Sequence, residues 1–168
     1  PSYRDVAPGE QGVGIFLDVM KPAGTVIDFG CGTGRASIRI SEAGHRVMMV
    51  DFAHNCRDHA AKQIPFLQLD LTEPMSVRGD VGYCADVMEH IPTDHVETVV
   101  SNIMACVPRA FFQISTVPDI AGAAINQSLH LTVQPHAWWR QTFQRLDLVI
   151  MWDKEYPGLS QVAVENGD

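Results

Sequence analysis

Apolar and polar positions along this chain alternate between two periods, and the points where the period changes mark its elements. From Glu10 to Met20 the apolar residues Val13, Phe16, Leu17 and Met20 recur at helical spacing, and Lys21-Pro22-Ala23-Gly24 predicts the stop. Thr25 to Phe29 is short, β-branched and bounded by glycines, the pattern of a buried parallel strand. A helix is expected from Gly34 to Ala43, then a second buried strand from Arg46 to Asp51 that closes on a carboxylate. His54 to Gln63 is expected to be helical, Pro65 to Asp70 a third strand and Val81 to Asp86 a fourth, both again ending on an acid. The clearest helix spans Asp94 to Val107, where Val96, Val99, Val100, Ile103, Met104 and Val107 share one face and Pro108 ends the run.

A fifth strand, Ala110 to Val117, leads into an aperiodic stretch from Pro118 to Pro135, placed where loops after parallel strands meet substrates. The tail predicts a helix around Trp138, Trp139 and Phe143, then strands at Leu146 to Trp152 and Ser160 to Val164 joined through Tyr156-Pro157-Gly158. So short a connection implies an antiparallel hairpin. The expected fold class is α/β, a three-layer arrangement with a mostly parallel sheet, helices on both faces and an antiparallel C-terminal hairpin.

Composition narrows the classes. The 168 residues suit one domain, and 46% hydrophobic with 19% charged residues excludes a disordered chain. No apolar run approaches the roughly 18 residues of a membrane span, and Pro1-Ser2-Tyr3-Arg4-Asp5 lacks the apolar stretch of a secretion signal. Cys31, Cys56, Cys84 and Cys106 are widely spaced and read as reduced thiols, so a cytoplasmic location is expected. A formal net charge of −8 weighs against nucleic acid as a partner, although Arg35, Arg39 and Arg46 leave a local basic groove open.

The chemistry concentrates in Val26-Ile27-Asp28-Phe29-Gly30-Cys31-Gly32-Thr33-Gly34-Arg35, a strand that runs through a glycine turn into a helix. Glycine permits positive φ and close approach of backbone to a ligand. The dinucleotide pattern G-x-G-x-x-G needs glycine at position 35, where Arg35 stands, which argues against a nicotinamide oxidoreductase. A carboxylate ahead of the glycines instead suits a ligand with an ammonium group.

Asp28-x-Gly30-x-Gly32-x-Gly34 resembles the first motif of class I S-adenosylmethionine-dependent methyltransferases, which have a Rossmann-like fold, and the order of elements matches along nearly the whole chain. The resemblance implies that Asp28, Phe29, Gly30, Cys31, Gly32 and Gly34 border the aminoacyl part of S-adenosylmethionine, with Cys31 contributing only as a small residue. It further implies that Asp51 holds the ribose hydroxyls, Phe52 packs on the adenine, and Asp70 and Leu71 border that ring. Asp86, after the fourth strand, is expected to touch the cofactor too.

Asp86-Val87-Met88-Glu89-His90 is a second cluster: on a helical turn, positions 86, 89 and 90 share one face. It resembles the E-x-x-E-H segment of metal-assisted O-methyltransferases of ubiquinone biosynthesis and small-RNA 2′-hydroxyl methylation, with Asp86 as a shorter first arm and His130 as the further histidine. Asp86, Glu89, His90 and His130 are thus the candidate catalytic residues and the candidate ligands for Mg2+ or another divalent ion. The alternative is that His90 braces the next helix or acts as a general base. His136, Trp138 and Trp139 are candidates for a pocket wall, with core packing favoured for one tryptophan.

The expected activity is methyl transfer to an oxygen or nitrogen of a small-molecule acceptor, with metal-assisted O-methylation as its sharper form. An RNA 2′-O-methyltransferase and a non-catalytic S-adenosylmethionine-binding module stay open beside it. The chain is short for this family, which leaves an open site, a bulky acceptor or closure by a second copy in a homodimer.

Overall fold

The computed structural model describes residues 8–119 and 127–167. The first five residues and the middle of the Pro118 to Pro135 stretch, both singled out above, lie outside them. Seven strands form one sheet in the order β3-β2-β1-β4-β5-β7-β6. Thr25–Phe29 (β1), Arg46–Asp51 (β2), Phe66–Gln68 (β3), Val81–Ala85 (β4) and Arg109–Ser115 (β5) run parallel. Leu148–Tyr156 (β6) and Leu159–Asn166 (β7) form the antiparallel hairpin, with β7 seated against β5. The expected α/β class and layering are observed.

The central strands β1, β4, β5 and β7 are buried on both faces, which is why they read as near-continuous apolar runs, whereas the edge strands β3 and β6 are partly exposed. Successive residues enter opposite cores. Val26, Tyr83 and Phe111 face the helices Val13–Met20 (α1) and Arg35–Glu42 (α2), whereas Ile27, Cys84 and Phe112 face Val96–Cys106 (α3) and His136–Arg145 (α4). Phe16 and Met20 of α1 and Ile40 of α2 fill the first core. Val99, Ile103, Trp139 and Phe143 fill the second, so Trp139 is core. Among the described residues no helix is long and apolar enough to cross a membrane.

One expected element does not form. Residues 54–63 carry no α-helix, only a short 3-10 turn at Ala60–Gln63. The backbone there bonds outward instead of along itself: Asp58 N–H donates to the Thr33 carbonyl at 2.8 Å, and the Cys56 thiol donates to Gly32 and Ala53 carbonyls at 3.2 and 3.1 Å. The segment is a brace for the glycine turn. The first helix begins with its apolar pattern at Val13 and not at Glu10, after a 3-10 turn at Pro8–Gly12.

Sequence order reverses between β1 and β4, the switch point at which open α/β sheets place ligands beyond their strand ends. Phe111 anchors this region from the α1 side, stacked on Tyr83 at 6.0 Å and edge-on to Phe16. Phe111→Ala is expected to cost about 3–5 kcal/mol, the range for emptying a buried aromatic site. Urea denaturation checks it, and a loss under about 1 kcal/mol would mean this core collapses around the gap.

Candidate active site

The turn after β1 is built on positive φ: Gly30 at 73°, Gly32 at 51° and Gly34 at 80°. Two of these glycines are also required sterically. A Cβ at position 30 would lie 2.3 Å from Val87 Cγ2, and one at position 34 would lie 2.6 Å from Ala61 Cβ. The turn is tied to β2, since the N–H groups of Gly30 and Cys31 both donate to the Val50 carbonyl, at 2.8 and 3.1 Å. Asp51 adds the side-chain tie. Its two carboxylate oxygens accept from Gly32 N–H at 2.8 Å and Ala53 N–H at 2.7 Å.

Asp28 lies behind the turn, 2% exposed, and accepts a 2.6 Å hydrogen bond from Ser37 Oγ. Burial raises its pKa to about 7; the Ser37 bond opposes the rise and the Asp51 charge adds to it. A carboxyl poised near neutrality responds strongly to a cation placed beside it. Burial likewise pushes the Cys31 thiol far up, so Cys31 is inert and contributes only its size.

A cavity of about 570 Å³ opens beside the turn. Its lining includes Asp28, Gly30 and Gly32 of the glycine turn, Gly9 of the Pro8–Gly12 turn, and Tyr83, Asp86 and Gln113 from the strands or their ends. Glu89, His90 and His130 line the same cavity. That volume falls within the range of small-molecule sites.

Residues 86–90 do not make the helical turn that their spacing suggests. Asp86 has φ of 55° and only Met88–His90 form a 3-10 turn, so Asp86 is rotated away from the other two. Glu89, His90 and His130 do converge, with one ligand atom from each lying within 4.8 Å of the others. Asp86 stands outside this set, accepting instead from Gln113 Nε2 at 3.1 Å.

The hydrogen bonds around the trio fix its chemistry. His90 Nδ1 meets the Leu129 carbonyl at 2.8 Å and His130 Nδ1 meets the Val117 carbonyl at 2.7 Å. A carbonyl only accepts, so each Nδ1 carries the proton and each Nε2 keeps a lone pair. Glu89 is 1% exposed; its Oε1 accepts from Ser115 N–H, while Oε2 has no partner. Burial first, and then the Asp86 charge, raises Glu89 to about 8, and burial raises Asp86 to about 6. Burial also holds the His90 imidazole below its ordinary value. Two imidazole nitrogens and a carboxyl that ionises only above about pH 8 thus share one spot.

The remaining expected site residues lie off the cavity wall. Phe29 and Leu71 are buried in the core, and Phe52 is 72% exposed. Asp70 spends its carboxylate on Thr72 N–H and Oγ1, which hold its pKa below the usual carboxylate value. Asp51 borders the turn without lining the cavity. His136 bonds Ser160 Oγ and Asp153 at 2.8 Å each, which docks α4 on the hairpin. Sequence reasoning passed over Gly9, Tyr83 and Gln113; the one available signal was a glutamine inside the apolar run Phe111-Phe112-Gln113-Ile114.

A sequence-family profile described as a methyltransferase domain matches residues 26–109, half of the chain. No curated protein sequence matches it. Among solved structures, magnesium protoporphyrin IX methyltransferase from Synechocystis PCC 6803 with bound S-adenosylhomocysteine is 19% identical with a TM-score of 0.73, over 98% of this chain and 86% of that one. The 1,6-didemethyltoxoflavin N1-methyltransferase of Burkholderia thailandensis is 18% identical with a TM-score of 0.75, over 99% and 81%. An O-methyltransferase family protein from the same organism is 16% identical with a TM-score of 0.77, over 98% and 57%. At these identities the likeness is one of fold.

Asp28 makes a prediction about the ligand-free protein. Its folded pKa, about 7, lies well above the ordinary aspartate value of 3.8, so its contribution to stability is full below pH 4 and is lost as pH rises through 7. Asp28→Asn should flatten that fall. Urea denaturation at pH 5 and pH 8 measures it, and an identical pH dependence in both proteins would contradict the assignment.

Proposed function

The chain belongs to the methyltransferase domain family, and on that basis we propose that it transfers a methyl group from S-adenosylmethionine to an oxygen or nitrogen of a small acceptor within this one cavity. The residues present fit the cofactor. The glycine turn brings backbone to the cavity edge, Asp28 offers a carboxyl that a neighbouring ammonium would ionise, and Asp51 offers two acceptor oxygens suited to a diol. When bound, the cofactor supplies a methyl group on a positively charged sulfur with a good leaving group.

What falls to the protein is orientation and proton removal. The observation that carries the proposal is the buried, unpartnered Oε2 of Glu89 beside two imidazoles that keep Nε2 lone pairs, in the same cavity as the glycine turn. An acceptor hydroxyl or amine brought there can give up its proton to an imidazole Nε2, or to Glu89 once that carboxyl is ionised above about pH 8. Five carboxyl side chains line the cavity, Glu10, Asp28, Asp86, Glu89 and Asp119, against one arginine, Arg35, which supports a small acceptor over a polyphosphate chain such as RNA.

The same trio supports metal-assisted O-methylation as a second reading, because one carboxylate and two tautomer-fixed imidazoles form a usable donor set for a divalent ion. Glu89, His90 and His130 would hold the ion, which would lower the pKa of an acceptor hydroxyl. Asp86 would not be among its ligands.

Calorimetric titration should show one S-adenosylmethionine site, weakened at least about tenfold, or about 1.4 kcal/mol, by Asp28→Ala and by Asp51→Ala. Absence of binding by the unmutated protein would overturn the proposal. For the metal, elemental analysis of the purified protein should give one divalent ion per chain that His90→Ala and His130→Ala each remove. Turnover that survives chelation, with metal content unmoved by either substitution, returns the trio to plain acid–base work.

A further inference from the structure

The wall of the cavity contains a buried polar chain that the proposed reaction has not used. Gln113 on β5 and Gln161 on β7 are paired across the antiparallel ladder, 3% and 4% exposed, each flanked along its strand by buried apolar residues such as Phe112, Ile114 and Val162. Gln161 Nε2 donates to Gln113 Oε1 at 2.8 Å, and Gln113 Nε2 donates to Asp86 Oδ2 at 3.1 Å. Each step sets the next. Because Gln161 gives an N–H to the carboxamide oxygen of Gln113, that amide must turn its own N–H groups toward Asp86.

Three features show that this arrangement is held against alternatives. Gln161 Oε1 is buried with no partner, a cost an apolar side chain at this position would avoid. Asp86 sits at φ 55°, a conformation side chains rarely adopt, at the end of β4. The Pro8–Gly12 turn lies directly over the chain, so a Cβ at Gly12 would be 2.5 Å from Gln113 Oε1 and 2.8 Å from the Tyr83 hydroxyl. That hydroxyl donates in turn to the Gly9 carbonyl.

We propose that Gln113 and Gln161 are positioning residues that aim the Asp86 carboxylate at the ammonium group of the bound cofactor. Asp28 and Asp86 both press electrostatically on the Tyr83 phenol, so the two carboxyls flank one stretch of the cavity wall. A cationic group entering between the glycine turn and the Pro8–Gly12 turn meets both. With one Asp86 oxygen taken by Gln113, the other is left for that cation, and the glutamine pair prevents the carboxylate from rotating away. This inference rests on S-adenosylmethionine being the cofactor.

The test compares S-adenosylhomocysteine, which carries the aminoacyl group, with 5′-methylthioadenosine, which lacks it. Gln161→Met keeps length and volume but removes the donor and the orphan acceptor. It should weaken S-adenosylhomocysteine about tenfold and leave 5′-methylthioadenosine within about twofold, while the melting temperature changes little, because the substitution trades the orphaned Gln161 Oε1 for an unpaired Gln113 Oε1. In an Asp86→Asn background the same substitution should change neither ligand further. If Gln161→Met does not fold, Gln113→Met reads the same split, because it removes the N–H that faces Asp86. Equal loss for both ligands, or no loss for S-adenosylhomocysteine, overturns the positioning role while the cofactor reading stands. Failure of the unmutated protein to bind either ligand overturns both.

Discussion

The structure depends on how one loop of backbone is kept open. Three glycines with positive φ follow β1; the Gly30 N–H is taken by the Val50 carbonyl, that of Gly32 by the Asp51 carboxylate and that of Gly34 by the Cys31 carbonyl, so the turn is closed on itself and fastened to the end of β2 before any ligand arrives. Such a turn cannot relax into a helix or a strand, and a ligand that meets it pays little to order it. Residues 54–63 give up their own helical bonds to brace it from outside, through Asp58 and Cys56. The local disorder of the secondary structure there is a consequence of the order in the turn.

Around that loop the electrostatics are unusually one-sided. Asp28, Asp86 and Glu89 are each pushed up by burial, to about 7, 6 and 8, and among the described residues no Lys or Arg is buried to answer them. Isolated buried carboxyls are costly, and their natural resolution is either a proton or a positively charged ligand. A cofactor with an ammonium and a sulfonium provides such charge, which ties the fold's electrostatic strain to the chemistry proposed for it. The polar trio in the same cavity then needs only an acceptor that brings protons.

Much of this was legible in the residues because strands buried on both faces and helices with one apolar stripe leave different periods. The sheet, its antiparallel end and the glycine turn follow from local pattern alone. Where the expectation failed, a distant partner decided. His54 to Gln63 has few apolar positions to hold a helix, and the Gly32 and Thr33 carbonyls compete for its donors. Asp86 shares a helical face with Glu89 and His90 only if residues 86–90 are helical, and its positive φ removes it from them. Glu89, His90 and His130 lie together as their types suggested, yet which nitrogen each imidazole offers depends on the carbonyls of Leu129 and Val117. The Gln113 and Gln161 pair needed the register of β5 on β7, which no periodicity encodes.

The glycine turn and the Glu89, His90 and His130 trio line one cavity, and the proposed reaction needs both. A crystal structure with S-adenosylhomocysteine bound tests it most directly. The account requires the aminoacyl group against Gly30 and Gly32, the ribose on Asp51 and the sulfur facing the trio. Ligand density elsewhere on the sheet, or a sulfur turned away from Glu89, would contradict it.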